Sequence, residues 1–231
     1  MSFSYFGQLV IGPSGSGKST YCSIIKKMAE TLKRNIIIIN LDPAIEYMPY
    51  QPFASITELI TLDEAMKSLK LGPNGGLVYC MEFLLDNIDW LESKINGLLE
   101  DDYILFDCPG QLELYSHLDT MARLSRTLQK LGFSLCSVCL LDVTFLNDDF
   151  KWVGGLMASL SFMVSIGLPH LSVLSKCDLV EDTKWLKNKL KTKDSFFIEE
   201  MENRKPINQT EHSNFDRKYL ELKNCLESIV L

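Results

Sequence analysis

The sequence has no basic excess. Its 231 residues carry 23 Lys and Arg against 30 Asp and Glu, a net charge of −7, which argues against a general nucleic-acid-binding surface and leaves protein as the expected class of partner. No apolar run reaches the roughly 18 residues a membrane helix needs, so no membrane partner is expected. Met1–Phe6 passes almost at once into a strand-like run, leaving no room for the basic segment, apolar segment and cleavage site of an export signal. Internal repeats and low-complexity tracts are lacking too. So is a disulfide framework: seven cysteines, an odd number, are scattered through strand-like runs and loops, which fits a reducing compartment. The one suggestive pair, Cys136-x-x-Cys139, falls in an apolar strand-like run where residues three apart point to opposite faces. It therefore reads as buried thiols rather than a metal or redox site.

Against these absences stands one dense motif. Gly12-Pro13-Ser14-Gly15-Ser16-Gly17-Lys18-Ser19 satisfies G-x-x-x-x-G-K-[ST] in full. A short apolar strand, Gln8–Ile11, precedes it, and helical spacing from Thr20 to Lys33, carried by Ile24, Ile25, Met28 and Leu32, follows it. The glycines let the backbone curl so that successive N–H groups point inward, and the helix presents its positive end to the same anion. Gly12, Gly15, Ser16, Gly17 and Thr20 are candidate phosphate contacts. Lys18 would reach the β- and γ-phosphates, and the Ser19 hydroxyl would ligate Mg²⁺.

The run Asn35–Asn40 is β-branched throughout its centre, as for a strand buried on both faces, and it delivers Asp42 to its carboxyl end, where ligands of open α/β sheets sit. Asp42 is read as an outer Mg²⁺ group or as an orienter of attacking water. Asp before Pro is also common turn chemistry, so a turn-capping role stays open. A mobile connection rich in proline and tyrosine, Tyr47–Phe53, leads to a helix over Ile56–Leu69. Gly72-Pro73-Asn74-Gly75-Gly76 reads as a sharp turn between helices, and Leu77–Leu99 as one long helix. Met81, Phe83, Leu84, Leu85, Ile88 and Trp90 make its apolar surface wider than one stripe, so part of it is expected to pack against another chain. Strand Tyr103–Phe106 then runs into Asp107-Cys108-Pro109-Gly110-Gln111, a D-x-x-G arrangement. Asp107 would hold Mg²⁺ through water, and the Gly110 N–H would meet the γ-phosphate. Gln111 competes with Asp42 for orienting the water, with Asp42 preferred as the charged strand-end group.

A helix over Leu118–Leu131, a strand over Leu135–Leu141 followed by Asp142, a helix over Phe150–Ile166 and a strand over Leu171–Leu174 complete the alternation. The last strand opens into Ser175-Lys176-Cys177-Asp178, the pattern [NTS]-K-x-D. A carboxylate at Asp178 accepts from N1–H and the exocyclic amine of guanine, groups that adenine cannot offer, which makes the expected nucleotide GTP or GDP. Helices alternating with five strands predict a three-layer α/β/α sandwich, a P-loop NTPase with a mainly parallel sheet. It is expected to form a single domain over 1–231, with a polar helical extension from about 181 that includes Lys184–Lys193 and Asp216–Val230. A small-molecule kinase would need an arginine-rich lid, but Arg34, Arg123, Arg126, Arg204 and Arg217 are dispersed.

Taken together, Gly12–Thr20, Asn40–Ala44, Leu71–Leu77, Phe106–Gln111 and Ser175–Asp178 resemble a GPN-loop GTPase over about residues 5–182, most like the type 2 eukaryotic member, with type 3 close. The resemblance changes the reading of the turn at Gly72-Pro73-Asn74. It implies that this loop reaches the nucleotide site of a dimer partner, where Asn74 helps stabilise the transferred phosphate. Related dimeric ATPases carry a signature lysine where this chain has Pro13. The resemblance further implies Mg²⁺-dependent GTP hydrolysis in a homodimer or a heterodimer with another GPN-loop GTPase. It also implies RNA polymerase subunits as partners, in assembly of the second and third nuclear enzymes before import, and a cytoplasmic location with shuttling to the nucleus. A scaffold that holds nucleotide without hydrolysing it is the alternative of another class. Family members continue past a final helix into a strand and a loop that backs the guanine ring, whereas this sequence stops at Leu231. The resemblance thus implies either a shortened chain or an incomplete base pocket.

Overall fold

A computed structural model describes residues 5–44, 47–99, 102–116, 118–180 and 184. The chain divides into two compact units, Met1–Leu179 and Val180–Leu231. The helices expected at 184–193 and 216–230 lie, Lys184 apart, outside the described residues. In chain order the elements are β1 (Tyr5–Ile11), α1 (Lys18–Thr31), β2 (Ile36–Asn40), β3 (Ala54–Ser55), α2 (Leu62–Leu69), α3 (Pro73–Asp86), α4 (Ile88–Ile95), β4 (Tyr103–Asp107), α5 (Glu113–Ser116), α6 (Thr120–Lys130), β5 (Phe133–Asp142), α7 (Asp149–Ile166) and β6 (His170–Ser175). The strands form one sheet in the order β3-β2-β4-β1-β5-β6, and every pairing is parallel.

The continuous apolar runs mark strands covered on both sides. Leu9 and Ile11 join the larger core with Ile39 and Phe106, while Val10 turns to a smaller core with Ile38 and Leu105. The larger core is closed by Met81 and Leu84 of α3, Leu91 and Ile95 of α4, Leu124 and Leu128 of α6, and Phe162 and Ile166 of α7. Cys22 of α1 lies in the smaller one, with Tyr21 and Ile25 packed against it. This is the three-layer sandwich. Cys139 belongs to the larger core and Cys136 packs against the smaller, the opposite-face placement expected of that pair.

Five local expectations need correction. Among the described residues the sheet has six strands rather than five, because a two-residue strand, Ala54–Ser55, pairs with Ile39 and Asn40 and is too short to show any periodicity. The helix expected over Ile56–Leu69 is a 3₁₀ turn, Ile56–Glu58, followed by α2. The two are separated by a capping box in which the Thr61 hydroxyl accepts from the Glu64 N–H while the Glu64 carboxylate accepts from the Thr61 N–H. The turn at 72–76 is instead the first turn of α3, with Gly72 at its cap and Pro73 at the first helical position, where a missing N–H costs nothing. The long helix over 77–99 breaks at Asn87, whose side chain donates to the Phe83 carbonyl at 2.8 Å and diverts the backbone into α4. The apolar surface that suggested a second chain is largely taken up internally. Met81 and Leu84 are fully buried, and Leu85, Ile88 and Trp90 pack against the same core. Gly76 allows this close packing, since a methyl group there would come within 2.7 Å of Leu62 and 3.0 Å of Met66 across the α2–α3 contact. In α1, Cys22, Ser23 and Ala29 are buried, while Ile24, Met28 and Leu32, which signalled the helix, are exposed. Small residues let that helix lie close on the sheet.

Candidate active site

Parallel strands deliver their carboxyl ends to one edge of the sheet. In register, Asp107 of β4 stands between Asn40 of β2 and Val10 of β1, and Asp142 of β5 stands beside Ser175 of β6. The loop between β1 and α1 curls over that edge. Gly12, Gly15 and Gly17 have φ of 136°, 75° and 91°, values that favour glycine. The Ser16 N–H closes a turn on the Pro13 carbonyl at 3.1 Å. Gly17 caps α1 without a side-chain bond, so the first amides of the helix remain free for an anion. Pro13 is half-buried, Ser14, Gly15 and Thr20 are exposed, and Ser19 lies half-buried behind the loop.

Lys18 is 7% exposed. Its ammonium donates to the carbonyls of Gly12 and Pro13, both at 3.1 Å. Burial lowers its proton affinity, opposed by the negative charges of Asp107 and Asp42. The carboxyls of Asp107 and Asp42 are both pushed up, chiefly by burial. For Asp107 the Tyr50 and Ser19 hydroxyls and Lys18 oppose that shift, and for Asp42 the Ala44 N–H and Lys18 do so. One cation thus faces two carboxylates in a site largely withdrawn from water. Among the described residues, three buried side-chain oxygens lack a hydrogen-bond partner: Ser16 Oγ, Asp107 Oδ1 and Gln111 Oε1. Buried groups of this kind are normally paired, and these three lie on the loop, at the end of β4 and just beyond Gly110.

Gly110 is fixed by contact. A methyl group on it would lie 2.7 Å from Ser14 Cα and 2.9 Å from both Ser14 N and Lys18 Nζ, so the D-x-x-G backbone rests directly on the phosphate loop. The Tyr115 hydroxyl donates to the Pro109 carbonyl and holds the segment from within the core. At β2 the turn-capping role of Asp42 is realised, because its Oδ1 accepts from the Ala44 N–H at 2.9 Å. The same residue still faces Lys18. Asn40, fully buried, brackets the Asp42 backbone, with its Nδ2 donating to the Asp42 carbonyl at 3.0 Å and its Oδ1 accepting from the Asp42 N–H at 3.1 Å.

The base motif is tied to the same loop. Ser175 Oγ lies 2.7 Å from the Ser16 carbonyl and 3.1 Å from the Leu141 carbonyl, its single proton donated to the nearer or shared between the two. Lys176 adopts a left-handed φ of 57° and pairs with Asp142 at 2.6 Å. Asp178 stands exposed on the short turn Cys177–Leu179. Gly72, Pro73, Asn74 and Gly75 are all exposed at the start of α3, and a methyl group at Gly72 would meet nothing within 4 Å. The cap of α3 has no side-chain bond either.

Sequence reasoning missed Tyr50, whose hydroxyl donates to Asp107 Oδ2 at 2.6 Å. Burial pushes the phenol pKa well up, with the Asp107 charge adding to it. The connection that carries Tyr50 is pinned by Ser23 Oγ, which donates to the Pro49 carbonyl at 3.0 Å. Asn40 was missed as well. Its sequence signals were a polar residue closing an otherwise apolar strand and its place at the head of the Asn40–Ala44 motif.

A family model described as "Conserved hypothetical ATP binding protein" matches residues 10–230. Among characterised proteins, a GPN-loop GTPase 3 of Dictyostelium discoideum is 43% identical over 97% of this chain and 77% of its own length. A GPN-loop GTPase 3 of Xenopus tropicalis is 51% identical over 76% of this chain and 62% of its own length, and a GPN-loop GTPase 2 of Danio rerio is 51% identical over 76% and 56%. The matched region therefore spans less than two thirds of the last two relatives, and identity alone does not sort the chain between the two types. Among solved structures, the apo form of a GTPase from Pyrococcus abyssi shares the fold with a TM-score of 0.73 at 24% identity, over 89% of this chain and 81% of the other.

Proposed function

This chain belongs to the GPN-loop GTPase family, and from that membership we propose that it binds GTP and GDP at the Gly12–Ser19 loop and hydrolyses GTP with the help of Mg²⁺. The observation that carries the reading is the seating of Gly110 against Ser14 and Lys18: the D-x-x-G backbone, the Gly12–Ser19 loop and Lys18 meet, which supports Gly110 as the amide that would sense the phosphate. Lys18 supplies the counter-charge to the β- and γ-phosphates, exchanging its bonds to two neutral loop carbonyls for bonds to anionic oxygens. Free amides at the start of α1 add donors around the same anion. The unpartnered Asp107 Oδ1 and the Ser19 hydroxyl fit a hard divalent ion, which takes oxygen donors. Asp42 stands in reserve beside them. When bound, Mg²⁺ neutralises charge on the transferred phosphoryl group. Asp42 and Gln111 are rival candidates for orienting the attacking water, with Asp42 the favoured one. Asp178, positioned through Ser175 and the Lys176–Asp142 pair, reads guanine.

The exposed, uncapped start of α3 supports a role for Asn74 towards a second subunit, either another copy or another GPN-loop GTPase. There its amide would meet charge developing on the transferred phosphate. The family resemblance extends the proposal to polymerase assembly in the cytoplasm, with shuttling to the nucleus. Mixing two inactive chains tests the shared site. Lys18→Ala lacks the phosphate counter-charge and Asn74→Ala lacks the donor, so mixed dimers restore one working site. Proven mixed dimers without recovered hydrolysis would refute catalysis in trans.

A further inference from the structure

A carboxylate has two oxygens, and at Asp107 they are treated differently. Oδ2 accepts the Tyr50 hydroxyl at 2.6 Å, whereas Oδ1 is buried with no donor in hydrogen-bonding geometry, the nearby Ser19 hydroxyl favouring the charged carboxylate without closing a bond. Asp107 is 1% exposed and closes β4 beside Lys18 and Ser19. Tyr50 comes from 57 residues earlier in the chain. Its ring packs against the small core of Val10, Cys22, Ile38 and Leu105, and its neighbour Pro49 is held by Ser23 of α1. The donor is therefore set by packing and a backbone anchor.

We propose that Tyr50 is a positioning residue of the metal–nucleotide site, occupying Asp107 Oδ2 so that Oδ1 is the oxygen presented to Mg²⁺. The proposal rests on the reading of Asp107 as a Mg²⁺ group. A phenol holding one oxygen fixes the carboxylate's rotation about χ2 and prevents both oxygens from closing on one ion. Partners that orient ligands in this way are worth about 10- to 100-fold in metal affinity. The link also makes the 47–53 connection part of the site, because moving it would release the carboxylate.

The test is the GDP affinity of the full chain, measured by calorimetry in excess EDTA and across a Mg²⁺ titration, for the parent, Tyr50→Phe and Asp107→Asn. Tyr50→Phe is expected to match the parent in EDTA and to need roughly 10- to 100-fold more Mg²⁺ for the same gain in GDP affinity, while Asp107→Asn loses the gain. An unchanged Mg²⁺ midpoint in Tyr50→Phe would overturn the proposal and leave the Asp107 reading intact. A full Mg²⁺ gain in Asp107→Asn would overturn both. Should Tyr50→Phe fail to fold, 3-fluorotyrosine placed at position 50 provides a second readout. Its ¹⁹F resonance is expected to shift when Mg²⁺ and GDP are added and to lose that response in Asp107→Asn. The same response in both backgrounds would contradict the link.

Discussion

Gly110 has no room for a side chain, and the atoms it would strike include the backbone N and Cα of Ser14 as well as Lys18 Nζ. Backbone does not yield as a side chain does, so Gly110→Ala carries overpacking strain on the order of 1–3 kcal/mol. It is expected to lower the melting temperature by about 2–4 °C per kcal/mol of that strain and to weaken GTP binding. Calorimetry beside a thermal melt checks both, and unaltered affinity would mean that the D-x-x-G segment does not serve the phosphate. Asp178→Asn tests the base. An amide cannot accept from both guanine donors, and losing a charge-assisted pair costs roughly 2–3 kcal/mol, so competition binding should show a reduced preference for GTP over ATP. These residues were legible in the sequence because each sits in a fixed pattern beside a strand end. Tyr50 was not, because its partner is set by folding: the Tyr50–Asp107 bond joins positions 57 apart, and it lies in no phosphate or base motif. Asn40 opens the Asn40–Ala44 motif, but its bonds to the Asp42 backbone show only in the folded turn.

Helix α3 shows how a sequence pattern can be right about burial and wrong about the neighbour. Leu84 is fully buried in the molecule's own larger core. Leu84→Ala is expected to cost about 2–5 kcal/mol by the removal of a buried aliphatic group, visible in denaturant unfolding. Were that face reserved for another chain, the substitution would alter association and leave monomer stability nearly unchanged. β1, β2, β4 and β5 were readable because their short apolar runs are buried in the sheet, while β6, with no buried residue, was marked by the motif that follows it. The break at Asn87 and the two-residue β3 were hidden, one behind a single side-chain bond and the other by its brevity. The contact of β5, β6 and α7 carries a pH dependence. His170 is clasped by Ser137 at Nδ1, 2.7 Å, and Ser159 at Nε2, 2.8 Å, and burial lowers its pKa from 6.5. The unfolded chain therefore binds this proton more readily than the folded one. The stability contributed by neutral His170 is present above about pH 6.5 and is lost as pH falls from there through the lowered folded value. Unfolding curves across that window are expected to show a steeper fall for the parent than for His170→Gln, and parallel curves would contradict it.

For the whole molecule, the parallel strands among the described residues bring their carboxyl ends to one edge of the sheet, and Asn74 is exposed at the start of α3, where it is open to the second subunit proposed above. Asn74→Ala is expected to slow hydrolysis by about 10²–10³-fold, as for loss of one preorganised donor at developing charge, with a much smaller effect on GTP affinity. Light scattering with GDP and with a non-hydrolysable GTP analogue should show association that depends on the nucleotide, whereas a stable monomer hydrolysing at a concentration-independent rate would remove the need for a partner. The central claim, that this loop hydrolyses GTP, is tested most directly by single-turnover phosphate release from stoichiometric GTP or ATP with Mg²⁺, for the parent and Lys18→Ala. The account expects phosphate from GTP and little from ATP, and none from GTP with Lys18→Ala. GTP that is bound tightly but recovered intact would contradict it and leave a nucleotide-holding scaffold.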